Sequence, residues 1–371
     1  MNPMNFLELI ASISLQAFVI VLAAHLLSRA TADERTLCRL WQMCFWVLLA
    51  VVIAAVALPH VRWTQARPDF DRRAVTSIAL WELKIGTTAL YVWCVGAIFA
   101  FIINVFRWIR TRMLIATCEE IDASLQRRIV ELLRPEFRNG NFGKTRVLIS
   151  SSLASPFCTQ FHRPYIVLPS YSLDFEPQEL AQIVRHELEH IQTGHPLQLF
   201  IQRVVEVLFW FHPMVWWASH QCDLCREFVC DGAAVESESP DEIVCYLKAL
   251  LRVVEHTTVS ARLHPLSFGR GKSSIARRAE RLVERARGLR SSRRNGWIEQ
   301  RTIFSFFAAS VLFAGLLWIP LNIVGSPRSR WSPWPPSTAQ VLQDLGLPVR
   351  DYELFDHDSQ LHEVLNSDDD G

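Results

Sequence analysis

The sequence predicts a mainly α-helical, polytopic membrane protein with four transmembrane helices and a cytoplasmic α+β domain. Three observations support this fold class. Half of the 371 residues are hydrophobic, four apolar runs approach the roughly 20 residues that a transmembrane helix needs, and clusters of arginine stand beside the last two runs. The formal net charge is only +1, so the charge balance indicates no direct nucleic-acid partner.

Three of the apolar runs lie in the first segment of the chain, residues 1–112. They occupy about residues 5–27, 40–58 and 85–105. The fourth run, residues 303–324, follows a strongly basic stretch. Because the cytoplasmic flanks of transmembrane helices are rich in Lys and Arg, we expect residues 113–302 to be cytoplasmic and the N-terminus to lie outside. The chain is then a multi-pass protein of the inner (cytoplasmic) membrane, in contact with membrane lipids.

The last segment, residues 325–371, has a different composition. It begins with a stretch rich in Ser, Pro and Trp, and it contains nine acidic and three basic residues. Such a segment buries too little apolar surface to fold alone. We expect a short, acidic, disordered tail on the outer side of the membrane.

Residues 186–190 read His-Glu-Leu-Glu-His, an H-E-x-x-H motif. On a helix, His186 and His190 lie one above the other, so both imidazoles can bind one metal ion. Glu187 lies at the edge of the same face, where it can take a proton from a water molecule. Helix angle alone does not separate Glu187 from Glu189, and the register of the motif favours Glu187.

A catalytic zinc site needs three protein ligands, so a further ligand is expected downstream. Glu227 and Asp231 are four residues apart on a predicted helix, 37 positions after His190. Glu227 can be the third ligand, and Asp231 can accept a hydrogen bond from a liganding histidine. Competing readings use other residues, which are His195 and His212 as ligands, or Cys222, Cys225 and Cys230 in a separate structural zinc site.

Two short β-type runs precede the motif, Arg146–Ser150 and Tyr165–Pro169. They predict a strand pair whose exposed edge could hold an extended peptide by main-chain hydrogen bonds. A plain hairpin that only covers the core is the alternative. The candidate substrate-strand residues are Phe157, Tyr165, Ile166 and Val167. A later apolar stretch, residues 197–218, carries internal charges and predicts a buried or membrane-surface helix.

These segments resemble the BlaR/MecR family of membrane-bound zinc metallopeptidases. The resemblance rests on the strand segment 155–169, the H-E-x-x-H motif, W-F-x-P-x-V-W at 210–216, E-x-x-C-D at 227–231, and the basic stretch 266–282. It implies a gluzincin-type peptidase domain that hydrolyses peptide bonds. It also implies one zinc ion bound by His186, His190 and Glu227, with Glu187 as the general base.

In that family, a penicillin-binding sensor domain follows the fourth span, and the peptidase inactivates a winged-helix transcriptional repressor. Only 47 residues follow Val324 here, so we expect this chain to lack the sensor domain. The expected partners are a protein substrate such as a winged-helix repressor, a separate sensor protein, and a second copy of the chain. The linker 288–294 is a candidate self-cleavage site at Arg293 and Arg294, or alternatively a basic anchor for the membrane topology.

Two other functions fit the same motifs. Prenyl-protein endopeptidases and HtpX-like quality-control proteases also combine H-E-x-x-H with E-x-x-x-D. A non-catalytic signalling scaffold is the alternative outside the enzymes. The intact set of candidate ligands argues against the scaffold, and the W-F-x-P and C-D elements favour the BlaR/MecR reading over the other proteases.

Overall fold

The computed structural model describes residues 3–58, 60, 72–133, 145–159, 164–235, 239–263, 271–287 and 296–321. The described chain is mainly helical and contains one four-stranded sheet. The linker with Arg293 and Arg294 and the acidic tail, residues 325–371, lie outside the described residues.

The first three helices are α1 (Pro3–Ser28), α2 (Glu34–Ala57) and α3 (Arg72–Ala116). Each contains a segment long and apolar enough to cross a bilayer, namely Asn5–Ser28, Glu34–Ala57 and Ser77–Ala116. These segments contain nearly all of the three N-terminal runs predicted from the sequence. The prediction of a mainly helical chain with three N-terminal candidate spans is therefore confirmed.

The other described helices follow α3 in the chain, and none of them is longer than α2. They are α4 (Ala123–Leu132), α5 (Pro177–Gln192), α6 (His195–Leu208), α7 (Pro213–Ala234), α8 (Pro240–Leu263), α9 (Gly271–Ala286) and α10 (Gly296–Gly315).

Of the fourth predicted span, residues 303–324, the structure describes residues 303–321, which are helical only in their first part. Helix α10 ends at Gly315, and the chain from Leu316 to Leu321 is not helical. Glycine is favoured just past a helix end, and Pro320 disfavours helical backbone at the residue before it. Among the described helices, α10 does not reach the length and apolarity of a candidate span.

A row of polar side chains on α1 binds the segment that follows α10. Glu8, Ser12 and Gln16 are spaced by one helical turn and are all buried. The indole N–H of Trp318 donates to Glu8, and the backbone N–H of Ile319 donates to Ser12 at 3.0 Å. The backbone carbonyl of Leu317 accepts a hydrogen bond from Gln16 at 2.8 Å. The polar residues that interrupt the first apolar run thus pair with otherwise unpaired groups beyond a helix end.

The apolar stretch 197–218 forms a helical hairpin rather than one helix. Helices α6 and α7 meet at the turn 209–212, and the indoles of Trp93 and Trp210 donate to the backbone carbonyls of Leu208 and Trp93 at 3.1 and 3.2 Å. A ring nitrogen of His212 lies 3.2 Å from a backbone carbonyl of α1. The hairpin tip therefore packs at the level of the middle of α1 and α3.

Gly96 of α3 allows this close approach, because a Cβ at this position would lie 2.2 Å from the Trp210 ring. We expect Gly96→Ala to destabilise the protein by about 1–3 kcal/mol, the usual range for overpacking a tight interior contact. Thermal unfolding of the purified protein in detergent micelles measures this. Gly315→Ala is the matched control, since nothing lies within 4 Å of its added Cβ. Equal effects of the two substitutions would contradict the proposed contact.

The sheet supports the domain between α3 and α10. Its strands are β1 (Glu119–Glu120), β2 (Arg146–Ser150), β3 (Phe157–Thr159) and β4 (Tyr165–Pro169), in the order β1-β2-β4-β3. The two predicted strands, β2 and β4, pair in parallel, and β3 pairs antiparallel with β4. They do not form a hairpin, since β3 returns the chain between them and takes the edge of the sheet next to β4.

Helices α4 and α5 cover this sheet and bury an apolar core with it. The core residues include Ile129, Leu133, Val147, Ile166, Leu168, Ile183, Val184 and Leu188. Leu180, Val184, Leu188 and Ile191 recur on α5 at helical spacing and are all buried. This apolar stripe fixes the rotation of α5 about its axis, and therefore the direction in which its histidines point.

Candidate metal centre

Helix α5 carries the H-E-x-x-H motif and has a well-defined start and end. Pro177 stands in its first turn, and Glu176 and Glu179 form a reciprocal capping box. Past its end, Gly194 adopts φ = 69°, a left-handed conformation that glycine reaches without strain. His186, Glu187 and Glu189 are buried along the helix.

Three donor atoms converge between α5 and α7. His186 Nε2 and His190 Nε2 are 3.3 Å apart. The Glu227 carboxylate lies 3.5 Å from His186 Nε2 and 3.6 Å from His190 Nε2. Ligand atoms held at about 2.0–2.2 Å from a tetrahedral zinc ion lie about 3.3–3.6 Å from one another. The spacing of His186, His190 and Glu227 therefore fits one zinc ion.

The second ring nitrogen of His186 faces Asp231 and Tyr246. His186 Nδ1 lies 3.2 Å from Asp231 Oδ1 and 2.9 Å from the Tyr246 hydroxyl, which donates to Asp231 at 2.7 Å. Burial opposes a charge on His186, but the hydrogen bonds to Asp231 and Glu227 prevail and raise its pKa to about 10. The two carboxylates thus favour a positive charge at this position. A metal ion would supply that charge and would displace the second ring proton of His186.

Arg278 of α9 supplies a fixed positive charge beside the same carboxylates. Its guanidinium lies 2.8 Å from Glu227 and donates to both oxygens of Asp231 at 2.8 and 2.6 Å. Burial alone would raise the pKa of Asp231, but Arg278 and His186 lower it to about 2. The same two residues, with His190, hold the pKa of Glu227 well below its usual range against the effect of burial. Both carboxylates are therefore ionised at neutral pH.

His190 has a different partner on its second ring nitrogen. His190 Nδ1 lies 2.9 Å from His195 Nδ1, and Cys230 Sγ lies 3.6 Å from the same His195 nitrogen. Burial lowers the pKa of His190 to about 3 and that of His195 to about 2, so both rings are neutral. His190, His195 and Cys230 form a second group spaced for a metal.

Glu187 is 7% exposed and faces β3. The Cys158 thiol hydrogen-bonds to its carboxylate, and burial, with a smaller contribution from Glu227, raises the pKa of Glu187 to about 7 in spite of nearby positive charges. Glu187 lines the same cavity as His186 and His190. Glu189 is not among the described residues that line the cavity.

The cavity has a volume of about 1250 Å³ and opens beside the three donor atoms. Strand β3 and the residues before it form part of the lining, and α3 and α6 contribute many of the other lining residues. Apolar side chains of these two helices dominate the walls, and they include Phe101, Val105, Trp108, Leu199, Phe200 and Val204. A helix that is long and apolar enough to span a membrane thus forms part of the cleft.

The chain matches the family model described as BlaR1 peptidase M56 over residues 8–282. It belongs to this family. The matched region runs from α1 into α9 and includes all the residues of the metal centre described above. The resemblance to the BlaR/MecR peptidases is thereby confirmed, and the family implies a membrane-associated metallopeptidase.

A curated relative of this M56 peptidase is the regulatory protein BlaR1 of Bacillus licheniformis. It is 26% identical over 141 residues, which cover 37% of this chain and 24% of the relative. The match therefore spans about a quarter of the length of that protein. It supports the family, and the activity and partners of the whole relative come to this chain only as proposals.

Not every predicted site residue lies where the sequence suggested. Phe157 is on the edge strand β3 and lines the cavity. Tyr165, Ile166 and Val167 lie on β4 between two other strands, and the last two are fully buried. The free edge at the cavity is therefore β3. Cys222 and Cys225 belong to neither group of described residues spaced for a metal.

Three contributors to the centre of this M56 peptidase were not assigned from the sequence. Arg278 occurred only within the basic stretch of the family resemblance, Tyr246 was not singled out, and His195 was considered only as an alternative metal ligand. Each is brought to the site by packing between distant elements. The sequence does contain one indication of them. Each is a polar residue, an arginine, a tyrosine or a histidine, on an otherwise apolar helix face.

Proposed function

We propose that this M56 peptidase is a zinc metalloendopeptidase of the gluzincin type. It would hydrolyse peptide bonds in a cytoplasmic or membrane-proximal protein, as part of transmembrane signalling that relieves a transcriptional repressor. The observation that carries the proposal is the convergence of His186, His190 and Glu227 at separations of 3.3–3.6 Å, beside the buried carboxylate of Glu187. Two imidazoles and a carboxylate are a donor set that suits zinc.

The chain's own residues have distinct tasks in this reaction. Zinc bound by the three ligands would supply the Lewis acidity that polarises the scissile carbonyl and activates water. Glu187 accepts the proton of the attacking water and later passes it to the leaving amine. Asp231 and Tyr246 orient the ring of His186, and Arg278 keeps Glu227 and Asp231 ionised.

The cavity indicates how a substrate binds. A peptide that runs along β3 would receive main-chain hydrogen bonds from the strand edge, with Phe157 beside it. The apolar walls from α3 and α6 would accept apolar side chains on either side of the cleaved bond. A sequence close to the membrane, or an unfolded region of a winged-helix repressor, meets both requirements.

We also propose the orientation predicted from the sequence, with residues 303–324 as a fourth span. Glu34 at the start of α2 pairs with Arg281 and Arg285 of α9 at 3.3 and 2.9 Å, so this end of α2 faces the peptidase domain. At the other end of α2, His60 stacks on Trp318 with ring centroids 3.7 Å apart. The ends that lie away from the peptidase domain would be outside, with the acidic tail.

The proposals for the stimulus and the partners are based on the family to which the chain belongs. The curated relative is named a regulatory protein, which supports signalling to a repressor. A separate sensor protein, a second copy of the chain and self-cleavage at Arg293 and Arg294 complete this proposal. A membrane processing or quality-control protease, of the prenyl-endopeptidase or HtpX type, is the second candidate. The observation that favours it is the part of the cleft lining that α3 forms.

The test uses the full-length protein purified in detergent. We expect one zinc ion per chain by elemental analysis, and hydrolysis of an unfolded protein substrate that a chelator stops and added zinc restores. Product termini identified by mass spectrometry show which bonds are cleaved. A protein that retains no metal, or hydrolysis that a chelator leaves unchanged, would remove the proposed activity.

A further inference from the structure

His190 is held by a chain of hydrogen-bonding groups that ends in a membrane-type helix. On one side, His190 Nε2 faces His186 and Glu227. On the other, its Nδ1 lies 2.9 Å from Nδ1 of His195. The far nitrogen of His195, Nε2, lies 4.0 Å from Cys38 Sγ of α2, and Gln42 donates to that same sulfur at 3.0 Å.

The tautomers along this chain follow from the metal site. A neutral imidazole has one N–H donor and one acceptor nitrogen. If Nε2 of His190 offers its lone pair to the ion, the proton is on Nδ1 and is donated to His195 Nδ1. His195 then carries its own proton on Nε2, where the Cys38 sulfur is the acceptor.

We propose that His195 is a positioning residue that fixes the ring and tautomer of the metal ligand His190, and that Cys38 of α2 holds His195 in place. This inference rests on the proposed zinc site. It assigns His195 a role other than that of a metal ligand, which the sequence had left open for this residue. It also gives α2 a direct connection to the metal centre.

The geometry favours a hydrogen bond over a second metal site at His190, His195 and Cys230. Two nitrogens that share a tetrahedral zinc ion lie about 3.3 Å apart or more, whereas those of His190 and His195 are 2.9 Å apart, a normal hydrogen-bond distance. His190 already directs its other nitrogen to the first site. A single ion with an orienting second histidine is the simpler arrangement.

The two liganding histidines are thus supported unequally. His186 donates to the carboxylate of Asp231, whereas His190 donates to a neutral imidazole. A carboxylate partner makes a histidine a stronger ligand than a neutral partner does. His190 is therefore oriented less strongly than His186, and its orientation depends on the packing between α2 and α6.

The experiment compares metal binding of full-length variants in detergent. His195→Ala should weaken zinc binding by about 10–100-fold, the usual effect of losing a group that orients a ligand, and should change the visible spectrum of the cobalt-substituted protein. His195→Asn should restore most of the affinity, because its amide oxygen can accept the proton of His190 Nδ1. Cys38→Ala should give a smaller loss in the same direction.

His212→Ala is the matched control, since His212 is a buried histidine that contacts the backbone of α1 instead. It should leave both the affinity and the cobalt spectrum unchanged. Wild-type affinity and spectrum in His195→Ala would overturn the inference. Failure of His195→Asn to recover, in a variant that unfolds at the wild-type temperature without metal, would overturn it as well, because the ring itself would then be a ligand. If the wild type binds no zinc, the proposed function fails with it.

Discussion

Glu187→Gln should lower the rate of peptide hydrolysis by about 10²–10⁴-fold, the usual contribution of a general base, while the protein keeps its zinc. The amide has nearly the shape of the carboxylate but cannot accept the proton of the attacking water. None of the three converging donor atoms belongs to Glu187, so the metal should stay bound. Initial rates on an unfolded protein substrate, with elemental analysis of the same sample, measure both quantities.

Glu189→Gln is the matched control for this substitution. Glu189 is in the same motif and is equally buried, at 8% exposure against 7% for Glu187, but it does not line the cavity among the described residues. Its replacement should leave the rate within a few fold of the wild type. Unchanged hydrolysis in Glu187→Gln would remove this residue from the mechanism, and loss of zinc would make it a ligand instead.

The pH dependence of hydrolysis follows from the same carboxyl group. Burial raises the pKa of Glu187 to about 7 without a metal, and a bound dication would lower it. Only the ionised form accepts a proton, so the rate should rise with pH and level off at or below about pH 7. In Glu187→Gln the residual rate should lack this rise.

Arg278→Met should destabilise the metal-free protein by about 3–5 kcal/mol. It leaves the buried carboxylate of Asp231 and the partly exposed carboxylate of Glu227 with only the protonated His186 as a positive partner. Arg278 lies within 2.8 Å of both Glu227 and Asp231, and the side chain of Asp231 is only 4% exposed. Thermal unfolding in detergent with a chelator present measures the change. Arg278→Lys should lose less stability, since lysine keeps the positive charge but cannot form the bidentate hydrogen bonds of arginine.

Arg277→Met is the control on the same helix, since Arg277 is exposed. Its effect should stay within about 0.5 kcal/mol, as for most surface substitutions. Equal unfolding temperatures for Arg278→Met and Arg277→Met would contradict the role of Arg278. The comparison needs no substrate, so it is independent of the proposed activity.

The destabilisation should also depend on pH in one direction. The pKa of Asp231 is lowered to about 2 in the folded protein from its ordinary value of 3.8. A lowered pKa means that the stabilisation is complete above about pH 4 and is lost as pH falls towards 2. The difference in the free energy of unfolding between the wild type and Arg278→Met should therefore be constant at neutral pH. It should become smaller below about pH 4.

The sequence predicted the parts of this molecule that depend on local spacing. Apolar runs identified α1, α2 and α3, and the four-residue spacing of His186 and His190 predicted that both face the same way. The spacing of Glu227 and Asp231 predicted a shared helix face for the same reason. In each case, the geometry of a single helix carries the information.

The parts that could not be predicted depend on packing between distant elements. Arg278, Tyr246 and His195 reach the centre from three different helices, and no local pattern records where those helices cross. Strand β3 has only three residues, too few to show an alternating pattern. Without β3, the parallel pairing of β2 and β4 could not be distinguished from a hairpin.

With the proposed orientation, the hairpin of α6 and α7 would set the height of the candidate metal centre relative to the bilayer. Its tip packs at the level of the midpoints of α1 and α3, and α6 has 14 residues, which span about 21 Å at 1.5 Å per residue. The hydrocarbon layer extends about 15 Å from the bilayer midplane and the headgroups to about 20–22 Å. The candidate metal ligands would then stand at the depth of the inner headgroups. A peptide bond must then approach the lipid surface to be cut.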